Sequence, residues 1–337
     1  MSLRYLVLLI MMSSNRCEAR PTAIFYANAS NPDGFTIKVL AEILKSIFVS
    51  DVSLLLSKEG ISVCNSDNKK TTLVNMLLLR ENFKEYKCTE DLVINFNIRT
   101  FYTLLKNVKK KIGVILFINK DIRNKLGIKP YSDRDEKKET SYLTITPIRR
   151  NITEIPECYD LSHNIPSNEF QNIIKKMQSV SGKIVKLSIQ KDNFISFYCG
   201  SNGVADVEME FGELLPTSEA RVVPKVSTAD KATVRSTASG DKSGDGDSKA
   251  SLKGSCADKS NNDSEIYEEE FYTKLFTQLI KLPGFGKQIQ FYSPNQEHYP
   301  LRIKMLAGKL GYIDIYIKDK YLVDLEEKMN LEREGRN

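Results

Sequence analysis

Lysine recurs on the polar sides of several short amphipathic segments, and the chemistry open to such a pattern is neutralisation of phosphate charge. Lys38 and Lys45 lie seven apart within 35–48, opposite Leu40, Ile43, Leu44 and Ile47. Lys274 and Lys281 repeat that spacing within 271–282, opposite Tyr272, Leu275, Phe276 and Leu279. In 98–108 the apolar stripe is Ile98, Phe101, Leu104 and Leu105, with Arg99 and Lys106 on the other side. In 169–178 it is Phe170, Ile173, Ile174 and Met177, with Lys175 opposite and Lys176 beside it. Each stripe has helical periodicity. A lysine on one helix is the ordinary solvent-facing residue. Four helices with Glu42 and Glu169 as the exceptional acids suggest one shared cationic surface, which would bind phosphates without reading bases.

No catalytic set accompanies these cations. Gly182-Lys183 lacks the upstream glycine of a nucleotide loop, and Gly284-Phe285-Gly286 lacks the third glycine of a dinucleotide fingerprint. The stretch 241–247 imitates a calcium loop, but Leu252 falls where the acidic twelfth residue belongs. The six cysteines (Cys17, Cys64, Cys88, Cys158, Cys199, Cys256) show no CxxC spacing, and the two histidines, His163 and His298, are far apart in sequence. These read as reduced thiols, not as a disulfide framework or zinc site. The expectation is a non-enzymatic protein with no cofactor and no metal.

The elements that position the lysines follow from length and pattern. The 337 residues suffice for two cores, and 41% hydrophobic with 27% charged is ordinary for a globular chain. The net charge of +6 is mild, so placement of charge matters more than its sum. Each helix leads into strands: 52–56 and 61–63 flank a Lys58-Glu59-Gly60 turn, 72–78 and 92–96 follow, then 112–119, 125–131 and 141–148. The pattern restarts with 184–189, 194–198 and 204–211, and ends with 288–292, 301–306 and 312–317. The division expected is an N-terminal extension 1–23, domains 24–146 and 158–325, a connector 147–157 and a fraying charged tail 326–337. Within the second domain, 216–262 is rich in Ser, Lys, Asp, Gly and Ala and is expected to be a disordered insertion.

The N-terminus points elsewhere. Arg4 followed by the apolar run 5–12 imitates a short secretory signal, and Asn28-Ala-Ser30, Asn151-Ile-Thr153 and Asn262-Asp-Ser264 fit glycosylation acceptors.

Several runs resemble a known family. Tyr86-Lys87-Cys88-Thr89-Glu90-Asp91-Leu92, Ile155-Pro156-Glu157, Pro166-Ser167-Asn168-Glu169-Phe170, and Pro300-Leu301 followed by Gly311-Tyr312-Ile313-Asp314-Ile315-Tyr316-Ile317 are similar, in order and spacing, to proliferating cell nuclear antigen, the eukaryotic-type DNA sliding clamp. The likeness runs from about 25 to 320. It implies an α+β DNA-clamp fold with two similar domains per chain, helices on the inner face of a homotrimeric ring and antiparallel sheets outside. Lys38, Lys106, Lys175, Lys274 and Lys281 match basic positions of that inner face, with Lys45, Lys176 and Arg99 as further DNA-facing candidates. Thr103 and Asn172 stand where the family is basic. The resemblance also implies subunit pairing through Ser141, Tyr142, Leu143 and Thr144 on one edge and Val207, Glu208 and Met209 on another. A pocket for client peptides would be lined by Ile152, Ile155, Pro156, Pro300 and Tyr316, whereas Ser66, Thr71 and Thr153 depart from the family's apolar lining.

The implied function is processivity: encircling duplex DNA in the nucleus and tethering polymerases, a clamp loader and other clients that carry clamp-binding peptides. Two alternatives stay open on the sequence. One is a checkpoint-type subunit of a hetero-trimeric clamp, and the other a secreted β-rich binding protein.

Overall fold

One supersecondary unit, a strand, a helix and three strands, occurs four times. In the computed structural model, which describes residues 23–132, 139–149, 153–190, 194–201, 205–212, 267–296 and 298–334, the first unit is β1 (Ala23–Ala29), α1 (Asp33–Ile47), β2 (Asp51–Leu56), β3 (Gly60–Ser66) and β4 (Thr72–Leu79). A short β5 (Glu85–Cys88) leads to the second: β6 (Leu92–Asn97), α2 (Ile98–Leu105), β7 (Gly113–Asn119), β8 (Ile122–Tyr131) and β9 (Ser141–Thr144). After the two-residue β10 (Thr146–Pro147) comes the third: β11 (Tyr159–Pro166), α3 (Ser167–Val180), β12 (Ile184–Gln190), β13 (Phe194–Ser201) and β14 (Ala205–Phe211). The fourth is β15 (Tyr267–Tyr272), α4 (Thr273–Thr277), β16 (Gln288–Pro294), β17 (Leu301–Ala307) and β18 (Gly311–Ile317), followed by α5 (Lys320–Glu334).

Units interlock by exchanging first strands. β1 pairs with β7 and β6 with β2; in the second half β11 pairs with β16 and β15 with β12, all antiparallel. The two halves are fused where the last strand of the first unit meets the last strand of the fourth, β4 against β18, in an unbroken register from Thr72↔Ile317 to Leu78↔Gly311. Three sheets result: β5-β1-β7-β8-β9, the nine-stranded β10-β6-β2-β3-β4-β18-β17-β16-β11, and β14-β13-β12-β15. The α+β class and the duplication expected from sequence are realised.

Inward-facing residues form one large continuous core, with Phe25, Phe170, Phe197, Phe271, Phe276 and Phe291 among the largest fully buried side chains. Phe197 meets Phe276 and Phe291 edge-on at 6.2 and 5.8 Å, a geometry aromatic quadrupoles favour. Burying each such ring contributes roughly 2–3 kcal/mol. At the fusion, a Cβ on Gly311 would lie 1.9 Å from the Leu77 carbonyl oxygen, so only glycine lets β18 approach β4 this closely. Gly311→Ala is expected to cost about 2–3 kcal/mol, read as a lowered denaturant midpoint with no change in slope.

Several expectations are corrected. The helix expected over 271–282 is a strand as far as Tyr272, because the Phe271 backbone pairs with Val185 of β12; helix then covers only Thr273–Thr277 before hydrogen-bonded turns and a 3-10 turn at Leu282–Gly284. Tyr272 is therefore half-buried and its hydroxyl donates to Asp324 instead of packing in the stripe. The described part of the tail, 326–334, does not fray: it forms the last turns of α5, tied by Lys69–Glu327 at 2.8 Å and by Lys318–Glu326. Four strands escaped the sequence pattern. β1 is buried at every position and so lacks alternation, while β5, β11 and β15 are polar edge strands whose pairing partners lie far away in the chain. The Asn28 triplet sits inside β1, with Asn28 only 7% exposed and its Oδ1 accepting from the Tyr131 hydroxyl at 2.7 Å, which is no place for a glycan. The triplets at 151 and 262, the insertion 216–262, Ile152 and the apolar run 5–12 lie outside the described residues. The four described cysteines, Cys64, Cys88, Cys158 and Cys199, are free thiols.

Candidate functional site

The four unit helices form a single layer. Their apolar stripes face the sheets: Ile37, Leu40, Ile43, Leu44 and Ile47 of α1, Ile98, Phe101 and Leu105 of α2, and Phe170, Ile173, Ile174 and Met177 of α3 are buried. α2 is opened by Asn97, whose side chain accepts the Thr100 N–H at 3.1 Å, and α3 ends on Ser181 in the left-handed conformation with φ 57°. α1 packs against α2, α3 against α4, and both α1 and α3 pack on the 3-10 turn that follows α4. Two bonds join elements remote in sequence. Ser46 Oγ donates to the Gln278 carbonyl at 2.6 Å, and Gln171 Nε2 to the Ile280 carbonyl at 3.1 Å. The order across both halves is thus α2, α1, α4, α3.

On this layer Lys45, Arg99, Lys106, Lys175, Lys176, Lys274 and Lys281 are exposed and Lys38 is half-buried. Glu169 is exposed in the first turn of α3, and Glu42 is the acid that pairs with these lysines. Lys38 Nζ lies 2.6 Å from Glu42 Oε2, and Lys281 Nζ reaches Glu42 Oε1 at 3.4 Å from the other half of the chain. Burial alone would raise the Glu42 carboxyl, but the two ammonium groups outweigh it and hold the pKa below the ordinary value. Lys45 Nζ sits 4.2 Å above the Tyr102 ring, joining α1 to α2. Sequence reasoning missed Lys110, whose ammonium lies 5.9 Å from the Phe35 ring at the start of α1, near Lys38 at 5.5 Å from the same ring. The signal was available in the run Lys109-Lys110-Lys111 directly after α2.

The expected subunit edges are β9 and β14, and both are outermost strands of their sheets. On β9, Leu143 is buried, Ser141 half-buried, and Tyr142 and Thr144 exposed; on β14, Met209 is buried, Val207 half-buried and Glu208 exposed. Asp206 and Glu210 are exposed beside Glu208, which makes the outward face of β14 acidic, while Arg123 and Lys125 are exposed on β8 next to β9.

Among the described residues, Ile155, Pro156, Pro300 and Tyr316 do not come together in one open cavity. The connector crosses the nine-stranded sheet and is held by the Glu157 N–H donating to the Tyr299 hydroxyl at 3.1 Å and the Tyr159 hydroxyl donating to the Pro300 carbonyl at 2.8 Å. A cavity of about 440 Å³ opens beside it, lined by Ser62, Cys64, Ser66, Asn75, Ile148 and Ile155 among others. Of the four expected residues that are described, Ile155 lines it; Pro156 and Pro300 are half-buried at the connector's two anchor points. Tyr316 is 3% exposed because Tyr159 covers it at 6.0 Å between ring centres, and Tyr299 packs on Tyr159 at 5.6 Å. Burial pushes the Tyr316 phenol up to about 12. Arg302 fills the space among the rings, 4.7 Å from Tyr292 and 5.7 Å from Tyr159, with Nε 2.9 Å from Asp314 Oδ1.

Comparison with known proteins places this geometry. Residues 29–151 match the model of the proliferating cell nuclear antigen N-terminal domain. Over 288 residues, 84% of this chain and 93% of the relative, it is 24% identical to a probable DNA polymerase sliding clamp 1 of Paramecium bursaria Chlorella virus 1. Over 178 residues it is 29% identical to proliferating cell nuclear antigen 2 of Plasmodium falciparum, covering 50% of this chain and 66% of that one. The fold matches the crystal structure of the antigen from Entamoeba histolytica with TM-score 0.64 at 16% identity, over 88% of this chain and 99% of that one. It also matches a structure of the PCNA2–PCNA3 complex of Sulfolobus tokodaii with TM-score 0.61 at 14% identity, again over 88% and 99%.

Proposed function

We infer that this chain, which carries the N-terminal domain of proliferating cell nuclear antigen in the fold of that family's solved structures, is a DNA sliding clamp. The observation that carries the reading is the unbroken helix layer with its cationic outward side. Ammonium groups spread over such a layer attract the phosphates of any duplex and recognise no base, so the protein is retained without being halted.

Ring closure follows from the symmetry of the units. The halves are fused by the last strands of units one and four; the last strands of units two and three, β9 and β14, are the equivalent pair and have no partner strand on their outer sides among the described residues. Pairing β9 of one copy with β14 of the next would join a five-stranded to a four-stranded sheet, making nine strands as at the internal fusion. That contact is head-to-tail, the kind that forms a ring when its rotation closes. We propose a homotrimer around duplex DNA, acting without catalysis in the nucleus and tethering polymerase, clamp loader and other clients. The test is retention on DNA: the chain should have three times its 38.3 kDa mass in solution, should stay on closed circular DNA once loaded, and should leave when the circle is cut. A monomer in solution, or equal loss from circular and linear DNA, would overturn the reading.

Client peptides are proposed to dock beneath the connector. Since Tyr159 covers Tyr316 there, Tyr159→Ala is expected to uncover the apolar floor and raise the affinity for a peptide with paired aromatic residues about tenfold, or about 1.4 kcal/mol, measured by fluorescence anisotropy. Tyr316→Ala would instead empty a buried site in the central sheet and lower stability.

A further inference from the structure

Away from the helix layer, Glu269 on β15, His298 in the β16–β17 loop and Asp319 at the base of α5 bring one donor atom each to within 4.8 Å of one another. His298 Nδ1 is 3.2 Å from Asp319 Oδ2. Two ligand atoms at about 2.0–2.1 Å from a shared tetrahedral ion stand roughly 3.3 Å apart. Asp319 has a side chain 1% exposed, and its other oxygen, Oδ1, accepts the Leu322 N–H at 2.7 Å as the cap of α5. It is thereby held in place with Oδ2 directed at the cluster. The His298 ring is held by stacking on Tyr321, 4.1 Å between centres and 22° from parallel.

A second observation is independent of these three side chains. Tyr267 lies two residues before Glu269 on the same face of β15, and its hydroxyl is out of solvent with no hydrogen-bond partner among the described residues. A buried polar atom without a partner in a folded protein calls for a ligand or ordered solvent. The lysines that flank Asp319 in sequence are committed elsewhere: Lys318 pairs with Glu326, and Lys320 with Glu270 at 3.0 Å. Two carboxylates thus meet a histidine, with an unpartnered phenol on the same strand as one of them.

We propose that Glu269, His298 and Asp319 bind one divalent transition-metal ion of the zinc class, with the Tyr267 hydroxyl facing the remaining position. One imidazole with two carboxylates suits zinc, whereas magnesium and calcium take all-oxygen sites. The ion would fasten three segments: strand β15, the loop whose Tyr299 and Pro300 anchor the connector, and α5.

The experiment is zinc binding to the full-length chain after chelator treatment, by equilibrium dialysis with elemental analysis, and cobalt absorption as the coordination signature. About one ion per chain is expected, weakened at least about tenfold by Glu269→Gln and by His298→Asn. Asparagine is chosen because the residue at 298 has φ 54°, which asparagine tolerates. Replacing Cys64, Cys88, Cys158 and Cys199 by Ser should leave the stoichiometry unchanged. Absence of stoichiometric zinc, binding unaffected by either variant, or binding lost with the cysteines would overturn the site. None of these results bears on ring assembly, so the clamp reading stands or falls separately.

Discussion

A chain carrying Tyr142→Asp and Thr144→Asp is expected to be a monomer under conditions where the native chain is a trimer, and to be unable to remain on circular DNA. Both positions are exposed on β9, Tyr142 at 53%, so the fold itself should change by no more than about 0.5 kcal/mol. The proposed partner strand exposes Asp206, Glu208 and Glu210. In a continuous sheet the outward faces of β9 and β14 align, and cross-strand neighbours lie about 5 Å apart, where like charges repel. Two new carboxylates against three existing ones should weaken each contact at least about 100-fold, close to 3 kcal/mol. Light scattering reads the mass, and Glu208→Lys with Glu210→Lys in the same chain should restore it. A doubly substituted chain that keeps the full mass would show that β9 is not the contact.

The second large effect concerns the helix layer. Changing Lys38, Lys106, Lys175 and Lys281 together to Ala should leave the ring intact and reduce the slope of log affinity against log salt by about 3. The slope should fall by less than four full contacts because Lys38 and Lys281 already share Glu42. Glu42→Gln should act in the opposite sense by releasing both. The pH dependence has a definite sign. A carboxyl held below its ordinary 4.5 contributes stability that is present above the unfolded-state value and lost as pH falls through the lowered one, so the Glu42 bridge persists at neutral pH. Half-buried on the Lys38 side and open to solvent on the Lys281 side, the bridge is screened enough that its share of overall stability is small. A salt slope unchanged by the four substitutions would remove DNA from this face.

How much of this was legible in advance differs by element. α1 and α3 were readable because their stripes repeat every three to four residues over 15 and 14 residues. α4 was misread because Phe271 and Tyr272 continue the apolar pattern into a segment whose backbone is claimed by β12, 80 or more residues earlier in the chain. The glutamates of β15 give no apolar alternation to read, and an edge strand tolerates them on its outer side. Tyr316 lies opposite Ile315 and Ile317 in the alternation of β18, but nothing local announced that Tyr159 would cover it.

By itself the sequence determined the two-fold repetition, the apolar face of each helix, the sign of charge on the opposite face and a resemblance to sliding clamps. Tertiary structure alone decided that the helices of both halves stand in one row, that β9 and β14 are left as open edges, and that Glu269, His298 and Asp319 meet. The physical reason is that periodicity reports which side of an element avoids water. What covers that side, and what gathers on the other, is set by strand pairings and side-chain bonds between residues as much as 232 positions apart.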